Sequence, residues 1–95
     1  MSAVDAAVQL GRLRGVGGLL FRIHAPDGGL VGAAAYAEDA ACLVALRGED
    51  GTIRVLNSIV WREGADGLAG ESYDAAAGLI QRRADNVVAR RARRR

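Results

Sequence analysis

Along the chain the apolar positions change their spacing in a regular order. Leu19, Phe21, Ile23 and Ala25 fall on one face and Arg22 and His24 on the other, the two-residue period of a strand. Pro26-Asp27-Gly28-Gly29 follows, where proline presets φ and glycine supplies the positive φ of a tight reversal, so Leu30 to Ala35 is predicted to return as a second strand. Between Tyr36 and Arg47 the period lengthens. Ala40, Leu43, Val44 and Arg47 mark one helical face, Glu38 and Asp39 suit the positive end of the helix dipole, and Gly48 is a natural left-handed terminator. Glu49-Asp50-Gly51 then turns the chain into a strand from Thr52 to Leu56, with Ile53 and Val55 facing inward. Asn57-Ser58 is predicted to reverse it into Ile59 to Glu63, where Ile59 and Trp61 alternate with Val60 and Arg62.

Gly64-Ala65-Asp66-Gly67 ends that strand, and Gly70-Glu71 continues the loop. Ser72 can cap a last helix with Asp74 in its first turn. Its apolar stripe is Tyr73, Ala76, Ala77, Ile80, Ala84, Val87 and Val88, and Arg82, Arg83, Asp85, Asn86 and Arg90 take the opposite side. This helix is expected to run to Ala89 and to fray through Arg90 to Arg95. The opening stretch, Ser2 to Leu13, reads equally as a loose alanine-rich helix or a frayed end, and Gly15, Gly17 and Gly18 break whatever precedes them.

The order is strand-strand-helix twice over. Ala40-Ala41-Cys42-Leu43-Val44 echoes Ala76-Ala77-Gly78-Leu79-Ile80 at an offset of 36. Four short strands with one apolar face, covered on one side by two amphipathic helices, make a two-layer α+β sandwich with a mostly antiparallel sheet. Residues 1–18 are then an N-terminal helix or flexible arm, 19–89 the single domain, and 90–95 an arginine-rich tail.

Composition sharpens this picture. With 95 residues, of which 19 are alanine, the chain supports one modest core. The net charge of +2 conceals a segregation. Met1 to Gln81 holds six arginines and ten carboxylates, while Arg82 to Arg95 holds seven arginines and one carboxylate. An acidic body therefore carries a basic end. No apolar run is long enough to span a membrane, and the N-terminus lacks the pattern of a secretory signal. One cysteine and one histidine exclude an internal disulfide and a closed Cys/His zinc site, so a cytoplasmic setting is expected.

Little in the chain points to catalysis. His24 is the only histidine, and neither Ser58, Ser72 nor Cys42 carries a nucleophile signature, so His24 reads as an exposed strand residue. Cys42, among Ala41, Leu43 and Val44, reads as a small buried hydrophobe. The glycines from Gly11 to Gly18 lack the spacing and the Lys-Ser/Thr of a phosphate loop. Glu63, Asp66, Glu71 and Asp74 gather carboxylates around one loop without the spacing of a calcium loop, so no metal or cofactor is expected. With Trp61 these carboxylates are candidates for docking onto a basic protein surface. Arg82, Arg83, Arg90, Arg91, Arg93, Arg94 and Arg95 are candidates for holding nucleic-acid phosphates.

The stretch Thr52-Ile53-Arg54, Val60-Trp61-Arg62-Glu63-Gly64, Asp66-Gly67 and Ala69-Gly70-Glu71-Ser72-Tyr73-Asp74 resembles small proteins of GC-rich bacteria and their phages. Size and acidic character are similar to those of phage-encoded inhibitors such as anti-CRISPR proteins. The stretch carries no activity over with it; together with the acidic body, the general similarity to inhibitors leads to the expectation of a small non-enzymatic interaction or inhibitor protein, anti-CRISPR-like, that docks on a nucleic-acid-handling complex. The alternative is a nucleic-acid-binding module working through its arginine-rich end.

Overall fold

The computed structural model describes residues 20–69 and 72–93. The expected helix from Ser2 to Leu13, Glu71, Arg94 and Arg95 lie outside the described residues. Strand β1 (Phe21–His24) and β2 (Leu30–Ala34) form the first hairpin, and helix α1 (Ala37–Arg47) follows. Strands β3 (Thr52–Val55) and β4 (Ser58–Arg62) form the second hairpin. A single helical turn, α2 (Glu63–Asp66), then runs through a 3₁₀ turn (Gly67–Ala69) toward the long helix α3 (Tyr73–Arg93). The class is α+β, with one antiparallel sheet in the order β2-β1-β3-β4.

The turn chemistry acts as the residue types dictate. Gly28 takes φ 93°, and the Gly28 amide donates to the Ala25 carbonyl at 2.9 Å. The Gly29 amide donates to the Asp27 carboxylate at 2.8 Å, so the side chain locks the reversal. Gly51 is a different case. A Cβ there would stand 2.8 Å from the His24 carbonyl oxygen, so β1 and the start of β3 meet only because the position is glycine.

The centre of the sheet is the pair Ile23 and Ile53, which face each other across β1 and β3. Both are fully buried with Phe21 and Val55, beneath Val44 of α1 and Ile80 of α3. Helix α1 packs on β1 and β2, α3 on β4, and the two helices on each other. The two strand-strand-helix units therefore meet through β1 and β3, and leave β2 and β4 as the edges.

Several expectations change. The second reversal is Leu56-Asn57, with Val55 opposite Ser58, rather than Asn57-Ser58. Leu56 takes φ 55°, a left-handed value held because its side chain packs against the core. Strict alternation in β4 fails. Arg54 pairs with Ile59 and Ile53 with Trp61, so Val60 is a bulge residue. The bulge buries both Val60 and Trp61 and turns Ile59 outward. Glu63 starts a helical turn instead of ending β4, and Gly64 to Gly67 is helical rather than a loop, so a short third helix joins the two covering helices. Cys42 is exposed, because it lies on the solvent side of α1 away from Ala40 and Val44. Tyr73 and Val88 leave the apolar stripe for the surface. Finally, α3 continues to Arg93 and does not fray at Arg90.

Because Ile53 sits at the sheet's centre with no exposure, Ile53→Ala should cost about 2–5 kcal/mol. Leu68→Ala, at an exposed position, should stay within about 0.5 kcal/mol. Urea unfolding of the two variants checks the difference, and equal losses would contradict this core.

Candidate functional site

The bulge in β4 organises the surface beside it. As an edge strand with an extra residue, β4 leaves the Val60 carbonyl without a strand partner. Arg83, reaching from α3, donates to it at 3.0 Å. The same guanidinium makes two bonds to the Asp66 carboxylate, at 3.2 and 3.4 Å, and stands 5.9 Å above the centre of the Trp61 ring. Asp66 also accepts the Arg62 amide at 2.8 Å, and the Trp61 indole donates to Glu63 at 2.8 Å. Burial alone would push the Asp66 carboxyl up. The Arg62 amide and the bond and charge of Arg83 outweigh it and hold the group below its ordinary value.

This network decides the fate of the acidic candidates. Glu63, Asp66 and Trp61 fasten α2 to β4 and α3, so two of the four carboxylates are spent inside the molecule. Asp74 is exposed in the first turn of α3 and shares a groove with Glu38 of α1. A broader grouping appears instead. His24, Thr52 and Arg62 lie in register at one end of the sheet. The turns and helix at that end carry Asp27, Glu49, Asp50, Glu63 and Asp66.

The opposite end is basic. Beyond Arg83, α3 directs Asn86, Arg90 and Arg93 along β4, at the three- and four-residue steps of one helical face. With Ile59, Val60 and Val87 they line an open trough of about 400 Å³. A second trough of about 360 Å³ shares Val87 and Arg90 and is closed by Arg91 and the Leu56-Asn57-Ser58 turn. Arg90 is thus the ridge between two concavities. Among the described residues the ion pairs are Arg83–Asp66 and Arg47–Glu49, so Arg90, Arg91 and Arg93 hold no carboxylate. Arg93 donates only to the Ala89 carbonyl, at 3.4 Å. Arg82 is exposed and lines neither trough. Asn86, Ile59 and the β3–β4 turn join the site although the charge pattern of the sequence does not mark them. The steps from residue 83 to 86, 90 and 93 are visible in the sequence, but ending the helix at Ala89 hid them.

The remaining chemistry is sparse. His24 is half-buried and bonds through Nδ1 to the Gly28 carbonyl oxygen at 2.9 Å, on the hairpin rather than in a trough. Cys42 lies beside Tyr73. Partial desolvation, the thiol and the Glu63 charge together push the Tyr73 hydroxyl up from its ordinary value. Among the described residues no three His, Cys, Asp or Glu side chains converge as metal ligands. No described helix is long and apolar enough to cross a membrane. No family model, curated protein or solved structure matches the chain.

The lowered Asp66 carboxyl has a definite pH signature. Its contribution is fully present above the ordinary aspartate value near 3.9 and is lost as pH falls through the lower folded-state value. Acid titration of stability should therefore show a loss below about pH 4 that Asp66→Asn removes. An unchanged profile in that variant would mean that Asp66 does not anchor Arg83.

Proposed function

We propose that the protein is a non-enzymatic binding module that lays a nucleic-acid backbone along the last turns of α3. The supporting observation is the persistence of α3 to Arg93, which aligns Arg90 and Arg93 with Asn86 against β4 and sets Arg91 at the β3–β4 turn. Guanidinium groups suit phosphate because their planar donors match its oxygens in pairs. No aromatic side chain lines either trough, so stacking of bases has no platform there. Contact through phosphates alone is independent of base sequence and depends steeply on salt. The acidic end of the sheet adds direction, since it repels the same polyanion and leaves the arginine end to approach first.

A second reading rests on that acidic end. Asp27, Glu49 and Asp50 form a rim that fits a basic protein surface, the kind of contact by which a small inhibitor occupies a nucleic-acid-binding partner.

For the first reading, filter binding to duplex DNA across a salt series should give a linear loss of log affinity with log salt. Changing Arg90, Arg91 and Arg93 together to Ser should reduce the magnitude of that slope by roughly two to three, at about 0.9 per phosphate contact. The core should stay folded because all three are exposed and lie beyond Val87, the last buried residue of α3. An unchanged slope rules the groove out. For the second reading, a captured protein partner should be retained by the arginine variant and lost by Asp27→Asn with Glu49→Gln and Asp50→Asn. The reverse pattern would reject it.

A further inference from the structure

The flank of the molecule opposite the arginine groove belongs to α1 and carries exposed leucines between two charges. Ala40 and Val44 are fully buried on the sheet. Ala37, Ala41 and Ala45 line the grooves that α1 shares with α3. At 100° per residue, Asp39, Leu43, Leu46 and Arg47 fall on the side of α1 turned away from α3. Helix α1 packs on β1 and β2, so this flank stands above the edge strand β2. Leu43 is 40% and Leu46 75% exposed, and Leu30 and Val31 of β2 are 46% and 41% exposed. Leu43 and Leu46 thus form an exposed apolar pair on α1, above an edge strand whose Leu30, paired with His24, faces the helix-free side.

We infer that a second copy of this chain docks on that flank, with the two α1 helices antiparallel about a two-fold axis at Leu43. The charges on the helix select this occupant. An antiparallel pairing centred on residue 43 sets Asp39 of each copy opposite Arg47 of the other, with Leu43 meeting its own counterpart between them. Among the described residues Asp39 makes no ion pair, and Arg47 has only an exposed bond to Glu49 at 3.1 Å. The helix therefore carries its own charge complement, and an isologous contact uses each half twice. The covered edge would also remove the open side of β2, a strand with no charged residue to deter pairing. This docking is independent of the arginine groove, which lies on the far side of α3.

Sedimentation equilibrium of the full chain tests the proposal. A concentration-dependent dimer is expected. Leu46→Glu, at a position that does not touch the core, should weaken association at least about tenfold, and Leu43→Asp should give a monomer whose circular dichroism is native. Asp39→Arg or Arg47→Asp alone should each weaken the dimer, and the double exchange should restore it toward the wild type. A chain that stays monomeric at about 200 μM overturns the proposal, whether the flank is open or covered by another segment of the same chain. So does a dimer whose association constant ignores the leucine variants, or one that the double exchange fails to restore.

Discussion

Arg83 is the residue on which the second half of the molecule depends. The bulge at Val60 strands a carbonyl at the sheet edge, and an unpaired backbone group in a half-buried setting costs about 1–3 kcal/mol. Arg83 satisfies it and is itself neutralised by Asp66, which in turn holds the Arg62 amide. One guanidinium thus joins β4, α2 and α3. It also fixes the rotation of α3 about its axis, because the helix must present residue 83 to the sheet edge. Residues 86, 90 and 93 then follow along the same edge without further instruction. The bond is also a guard: an edge strand whose carbonyl is taken and whose ladder is bulged offers a poor template for another chain.

The two halves share one plan and diverge at their outer sides. Each is a hairpin followed by a helix, and they meet through the buried pair Ile23 and Ile53. Both hairpins carry an irregularity, before the last pair at Ile23/His24 in the first and mid-ladder at Ile53/Arg54 in the second. At β4 the outer side is blocked by Arg83 and lined with arginine. At β2 it is apolar and uncharged. A sandwich with two equivalent ends has acquired two different surfaces, and the difference lies in side chains while the backbone plan is kept.

How much of this could be read from the sequence follows from which forces are local. The first hairpin was legible because Pro26, Asp27 and Gly28 specify the turn by their own dihedral and hydrogen-bonding preferences. Ile53 and Val55 were legible because a two-residue period needs no partner to be seen. Trp61 is buried as its alternation implies, but Ile59 and Val60 exchange faces because a bulge is decided by the opposing strand, and nothing in the residues announces it. The α2 turn is hidden in the sequence because Gly64 and Gly67 resemble a loop, while the bonds that hold it come from the side chain of Trp61 and the amide of Arg62 just before it and from the remote Arg83. The apolar neighbours of Cys42 in sequence suggest burial, but the helix sets it on the opposite side from Val44. The candidate arginines were legible as a cluster, but the groove was not, since Asn86 and Ile59 join it only when α3 is packed against β4.

The end of α3 is where stability and binding meet. Val87 is the last buried residue of the helix, so the turns beyond it gain nothing from the core. What favours them is charge: Arg90, Arg91 and Arg93 lie at the negative end of the helix dipole, and Arg93 also donates to the Ala89 carbonyl in that last turn. The same three charges repel one another across single helical turns. A bound phosphate backbone would remove that repulsion while leaving the dipole contact in place. The basic end is therefore a helix extension held by its own arginines and strengthened by an anion that spans them, which is why the net charge of the whole chain says so little about it.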